Sequence, residues 1–233
     1  MLPTWQAILQ RNYKMKNREL CILHEVRKKY RGSKEAAIES ASFAIQSGEI
    51  LGILGENGAG KSTLLSLIAG TQKFDGGSIE YRKDVKKRLS YLPQELSLYQ
   101  ELTGRENMTF WGLLEKMNGS QIKVESESLL KELGLLEKID KRVQTYSGGM
   151  KRRLHLATAL LGKPSLLLLD EPFVGADEAS IEQMIKILKV RRDEGVGIVL
   201  ISHQKEIVDT LVDRRIYIKK GRMMDAGLYS NAL

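Results

Sequence analysis

From Glu19 onward the chain alternates short apolar runs with turns. "LCILHEV", "AAIESASFAI", "EILGIL", "GSIEYR" and "RLSYLP" each have strand length, and together they take the chain to Pro93. The first two and the last two of these runs are expected to form antiparallel pairs. "EILGIL" is apolar on both faces and suits a central strand. Between about Pro93 and Gln144 the period changes. "ELTGRENMTFWGLLEKM" and "VESESLLKELGLLEKI" place leucines three and four apart, which predicts helices and an inserted helical subdomain spanning about residues 95–160. After Met150 the pattern predicts a helix, the strand "LLLLD", a helix over about 178–192, the strand "GIVLIS" and a further helix. Alternation of this kind predicts an α/β fold with a mainly parallel sheet covered by helices. No internal repeat or low-complexity tract interrupts it.

Residues 1–18 stand in front of this pattern as an N-terminal extension, 19–228 form the domain, and 229–233 are a short tail. Trp5, Ile8, Leu9 and Tyr13 fall at helical spacing, which suits an amphipathic helix on a partner or a bilayer surface. Met15 begins what resembles an ordinary domain start. With 233 residues and 42% hydrophobic content the chain can bury a sizeable core. It has no apolar run long enough to span a membrane and no secretory leader pattern, so it is expected in the cytosol. The single cysteine, Cys21, excludes an internal disulfide and a cysteine metal cluster, and its place in an apolar run predicts a buried strand residue.

The net charge of +8 is concentrated near one end, since residues 1–31 hold eight Lys and Arg against two Glu. That distribution fits a solvated basic face, or contact with anionic lipid or an acidic partner. Without interleaved aromatics or a nucleic-acid motif, polynucleotide binding is not expected.

Three stretches carry chemistry. "GENGAGKST" fits G-x-x-x-x-G-K-S/T between a predicted strand and a predicted helix. Gly55, Gly58 and Gly60, with Glu56, Asn57 and Ala59 between them, let backbone N–H groups converge on phosphate oxygens at the start of the helix. Lys61 can reach the β- and γ-phosphates, Ser62 can bind Mg²⁺, and Thr63 follows it. "LLLLDEP" delivers Asp170 to a strand tip, where a carboxylate can hold magnesium through water. Glu171, one residue on, can accept a proton from an attacking water. "YSGGMKRRLHLA" reads as exposed backbone at Ser147, Gly148 and Gly149 leading into a helix, with Lys151, Arg152 and Arg153 as helix surface and salt-bridge material.

These motifs, in this order, resemble the nucleotide-binding subunit of an ABC transporter over roughly residues 19–225. "YSGGM" resembles the family signature LSGGQ. The resemblance implies a P-loop NTPase with a RecA-like core, a mixed β-sheet, an antiparallel β-subdomain and an inserted ABC-type helical subdomain. It implies ATP and Mg²⁺ as ligands. It also implies that Ser147, Gly148 and Gly149 bind the γ-phosphate held by the opposite subunit of a head-to-tail dimer. In the same way Gln94 of "YLPQ" corresponds to the glutamine that touches magnesium and links the helical subdomain. His203 corresponds to the histidine that contacts γ-phosphate, Tyr30 to the aromatic that stacks on adenine, and Asp177 to the aspartate that communicates across the dimer.

The chain departs from the family pattern at Tyr146, Met150, Val174 and Ala176, which bears on interface geometry rather than bond chemistry. "SGGMKRRLHLA" is similar to the form frequent in bacterial exporter ATPases of the drug, lantibiotic and polysaccharide type. The implied partners are a separate membrane-spanning permease subunit and a second ATP-binding subunit, in a homodimer with two hydrolysing sites. The implied place is the cytoplasmic face of the membrane, peripherally. The alternative is a soluble ABC-type ATPase acting on ribosomes or DNA, against which stand the single cassette and the absence of a heptad array between Lys61 and Ser147. A non-hydrolysing regulatory cassette is disfavoured because Lys61, Glu171 and His203 are all present.

Overall fold

The structure, a computed structural model, describes residues 18–224; the expected N-terminal helix and the last part of the domain and tail lie outside them. Among the described residues nine strands form one sheet: β1 (Glu19–Lys28), β2 (Ile38–Gln46), β3 (Ile50–Leu54), β4 (Gly76–Tyr81), β5 (Leu89–Leu92), β6 (Leu166–Asp170), β7 (Gly197–Ile201), β8 (Arg214–Lys219) and β9 (Arg222–Met224). Their spatial order is β4-β1-β2-β9-β8-β3-β7-β6-β5. The β4-β1-β2 end is antiparallel, whereas β3, β5, β6, β7 and β8 run parallel. The helices described with them are α1 (Lys61–Ala69), α2 (Gly104–Leu114), α3 (Gly119–Glu132), α4 (Gly148–Leu160), α5 (Glu178–Asp193) and α6 (Lys205–Leu211).

The apolar tetrad of β6 has a direct physical reason. Side chains alternate across a strand, so a strand covered on both faces is apolar at every position. Leu167 and Leu169 belong to one core with α4 and α5, while Leu166 and Leu168 belong to a second core with α1. Strand β7 divides in the same way, with Ile198 and Leu200 on one side and Val199 and Ile201 on the other. Strand β3 is buried throughout and lies between β7 and β8, in the central place its pattern predicts. Cys21 is 1% exposed, and burial pushes its thiol up to about 12, which leaves it inert.

One expected pairing does not form. "GSIEYR" and "RLSYLP" are neighbours in the chain, yet β4 pairs with β1 while β5 pairs with β6 in parallel, at the opposite edge of the sheet. A 3-10 turn over Val85–Arg88, with Val85 fully buried, carries the chain between the two edges. The hairpin of β8 and β9 was not among the predicted strands; it turns at Lys220 and Gly221, both at positive φ.

The helical insertion is built from local signals. Thr103 with Glu106, and Asn118 with Gln121, make reciprocal capping boxes that start α2 and α3. Tyr146, the departure from leucine, is 5% exposed and its hydroxyl donates to the Lys138 carbonyl at 2.7 Å, so the larger side chain is used inside the insertion.

The expectation for Lys151, Arg152 and Arg153 needs correction. Among the described residues none of them forms an ion pair with a carboxylate. Arg153 donates to the Leu133 carbonyl at 2.8 Å and to Gln183, joining α3, α4 and α5. Two residues further on, His155 is 2% exposed and burial pushes its pKa down to about 4. The unfolded chain protonates this group near 6.5 while the folded chain does not, so stability should fall as pH drops from 6.5 towards 4. The shift corresponds to about 3 kcal/mol. Urea unfolding of His155→Gln should lack that part of the acid loss; the same pH slope in both proteins would refute it.

Candidate active site

The loop between β3 and α1 is shaped by what lies against it. Gly60 adopts φ 105°, and a Cβ there would meet the Ala37 carbonyl oxygen at 2.2 Å, so only glycine fits. Lys61, at the first position of α1, is 7% exposed. Its Nζ donates to the carbonyls of Gly55 and Glu56 at 2.8 and 2.9 Å, and burial lowers its pKa against the opposing influence of Glu171 and Asp170. Asn57, Gly58, Gly60, Lys61, Ser62 and Thr63 line an open cleft of about 780 Å³. Gly55 and Glu56 instead face a second cavity behind the loop, and the Ala59 amide donates to the Glu56 carbonyl. These three residues support the loop rather than wall the cleft.

Opposite the loop, β6 delivers two buried carboxylates. Asp170 is 3% exposed; burial raises its pKa, partly offset by a hydrogen bond from Ser62 and by Lys61, and its Oδ1 has no hydrogen-bond partner. Glu171 sits at φ 49°, a left-handed conformation that costs a non-glycine residue about 1–3 kcal/mol. It is held there by its own amide, which donates to the Ile201 carbonyl at 3.0 Å. Burial also raises the Glu171 pKa, which makes this carboxylate a better proton acceptor. His203, at the end of β7, places its backbone amide 3.4 Å from Glu171 Oε2 and its Nε2 3.3 Å from Oε1, the latter without hydrogen-bond alignment. Burial lowers the His203 pKa.

Gln94 and Tyr30 complete the walls. The Tyr30 hydroxyl donates to Gln72 Oε1 at 2.8 Å and lies 3.2 Å from the Thr63 hydroxyl, holding a 42% exposed ring at the rim. The loop after Tyr30, from Ser33 to Ala37, also lines the cleft and was not singled out from sequence. Its only signal was its place after Tyr30.

Ser147, Gly148, Gly149 and Asp177 do not line this cleft. They gather separately, at the start of α4 and α5. The Ser147 hydroxyl accepts from the Met150 amide at 3.2 Å, and the Asp177 carboxylate accepts from the Ser180 amide at 2.9 Å. The paired glycines are not both exposed backbone. Gly149 is buried, and a Cβ on it would meet Asp177 Oδ2 at 2.2 Å and Ser180 Oγ at 2.3 Å. Gly149 is therefore required by close packing of α4 on α5, whereas Ser147 and Gly148 face outward. The chain thus carries an open cleft and, elsewhere, an exposed helix N-terminus that does not line it.

The family profile described as ABC transporter matches residues 38–174, more than half of the chain. The chain is 36% identical over 202 residues to the linearmycin resistance ATP-binding protein LnrL of Bacillus subtilis, covering 83% of this chain and 65% of LnrL. It is 30% identical over 211 residues to the lipopolysaccharide export system ATP-binding protein LptB of Escherichia coli K12, covering 86% and 87%. It spans only 21% and 22% of two Arabidopsis thaliana ABC transporters of the A family. A solved ATP-binding subunit of an ABC transporter superposes with a TM-score of 0.79 at 25% identity, covering 88% of both chains. Among the described residues no helix is long and apolar enough to cross a membrane. The phosphate loop, the carboxylate pair and the separate signature cluster thus lie on a fold and a sequence that agree, and the chain belongs to the ABC transporter family as an ATP-binding domain.

Proposed function

We propose that the chain binds and hydrolyses ATP in a head-to-tail dimer and thereby powers transport, in the export direction, through a separate membrane-spanning subunit. The observation that carries this reading is the split of the site. Glu171 and the phosphate loop share one cleft, while Ser147 and Gly148 offer amides and a helix N-terminus to solvent. A second copy placed head-to-tail would supply that helix end to the open side of the cleft. The dimer interface then includes Asp177, whose capping of α5 fixes the turn packed against Gly149.

Within the cleft the chain's own residues divide the work. Tyr30 offers a ring at the rim for the adenine. The Lys61 ammonium exchanges the two loop carbonyls for phosphate oxygens, a move its adjacent Gly55 and Glu56 contacts make short. Glu171 accepts the proton of the attacking water, and His203 donates towards the γ-phosphate from the neighbouring strand tip. Ser62, Gln94 and Asp170 would hold Mg²⁺. The unpartnered Asp170 Oδ1 beside the Ser62 hydroxyl fits that ion, which tolerates few protein donors because it keeps several waters. When bound, magnesium neutralises charge on the β- and γ-phosphates.

The cassette is proposed to span 19–228, with about 95–160 as the helical insertion and the region beside Gln94 facing the permease. Tyr99, an exposed aromatic five residues after Gln94, supports that face. Export is supported by the resistance role that names LnrL; a peripheral place on the cytoplasmic face of the membrane is part of the same proposal. The transport reading is tested by purifying the chain from its native membranes in mild detergent. A co-purifying multi-helix membrane protein is expected; recovery from the soluble fraction with ribosomes or DNA would overturn it.

A further inference from the structure

Helix α4 carries two side chains that the chemistry above leaves unused, Arg152 and His155. They stand three residues apart, so they share a helix face. Arg152 Nη1 donates to the Gln94 carbonyl at 2.7 Å, and its Nε donates to the Val174 carbonyl, also at 2.7 Å. His155 Nε2 accepts from the Ser97 amide at 3.3 Å. Gln94 and Val174 both line the cleft, on segments that reach it from opposite directions: one follows β5, the other follows Glu171. Burial lowers the Arg152 pKa, and no carboxylate pairs with this guanidinium among the described residues. Its fixed fork is spent on two backbone oxygens.

We propose that Arg152 is a positioning residue that ties the partner-facing end of α4 to both loops of the chain's own nucleotide cleft. The inference rests on the proposed dimeric ATPase. Ser147 lies five residues before Arg152, about 7.5 Å along a helix axis. When α4 shifts as a rigid body to meet the nucleotide of a second copy, the guanidinium draws the Gln94 and Val174 segments with it. His155 steadies the far end of the Gln94 loop. Engagement of one site is thereby felt in the other without any change in the groups that touch phosphate. A lysine can hold one carbonyl but lacks the fork that spans two.

The test compares Arg152→Met, Arg152→Lys and Glu171→Gln with the wild-type chain, using a fluorescent ATP analogue for affinity, steady-state ATP hydrolysis, and amide hydrogen exchange. Arg152→Met is expected to keep ATP affinity within about twofold, to lower kcat about tenfold and to reduce the Hill coefficient towards one. Arg152→Lys should recover part of kcat. Exchange in the Met variant should quicken around Gln94–Leu98 and Phe173–Ala176 while α4 stays protected. Wild-type kcat and cooperativity in Arg152→Met overturn the proposal, and so does a parallel loss of affinity, kcat and α4 protection, which marks a folding defect. The functional reading fails in a different way: a wild-type chain that binds but does not hydrolyse ATP removes the dimeric ATPase and this tether with it, with Glu171→Gln as the reference for lost turnover with binding retained.

Discussion

Glu171→Gln is expected to bind ATP as the wild-type chain does, to lower kcat by about 10²- to 10⁴-fold, and to accumulate as an ATP-bound dimer. The substitution keeps the shape of the side chain. It does not disturb the left-handed backbone at this position, which is fixed by the Glu171 amide bonded to the Ile201 carbonyl. It also leaves Lys61, Ser62 and Gly60 in place, so phosphate binding persists. What it removes is a buried carboxylate whose pKa is raised by its surroundings, and with it the capacity to take a proton from water. Because binding survives and bond cleavage does not, the dimer that ATP assembles has no route to reopen. Single-turnover hydrolysis, with size-exclusion chromatography in the presence of ATP and magnesium, checks both halves of the expectation. Hydrolysis at the wild-type rate would show that the base is elsewhere.

The phosphate loop and the Asp170–Glu171 pair were legible because each is a contiguous stretch whose residue types are forced by local geometry. Gly60 has to be glycine against Ala37, and β6 has to be apolar on both faces because helices cover both. What eluded the pattern depends on pairing between distant segments. The edge position of β5 is set by four register pairs with β6, about 77 residues further along, and nothing within "RLSYLP" distinguishes that partner from β4. Arg152 escaped for a different reason. Its acceptors are main-chain carbonyls, which every residue possesses, so no residue type marks them. Gly149 was legible as a motif and illegible as packing, since its neighbours Asp177 and Ser180 come from another helix.

The separate place of the signature cluster yields a second large effect. Ser147→Arg is expected to leave ATP affinity of the single chain unchanged and to abolish both the ATP-dependent dimer and hydrolysis, with kcat reduced about 10²- to 10³-fold or more. Ser147 is exposed and does not line the chain's own cleft, so an arginine there can turn into solvent without touching bound nucleotide. The local cost is the lost cap to the Met150 amide, about 1 kcal/mol, which the buried body of α4 withstands. In the dimer the same arginine would project into the space that the partner's γ-phosphate needs, and the serine hydroxyl and closely packed amides would no longer reach it. The experiment is cleanest in the Glu171→Gln background, where assembly is separated from turnover: light scattering with ATP should show a dimer for the single variant and a monomer for the double. A double variant that still dimerises on ATP would remove Ser147 from the interface, and the cleft would then have to be completed by some other surface than the start of α4.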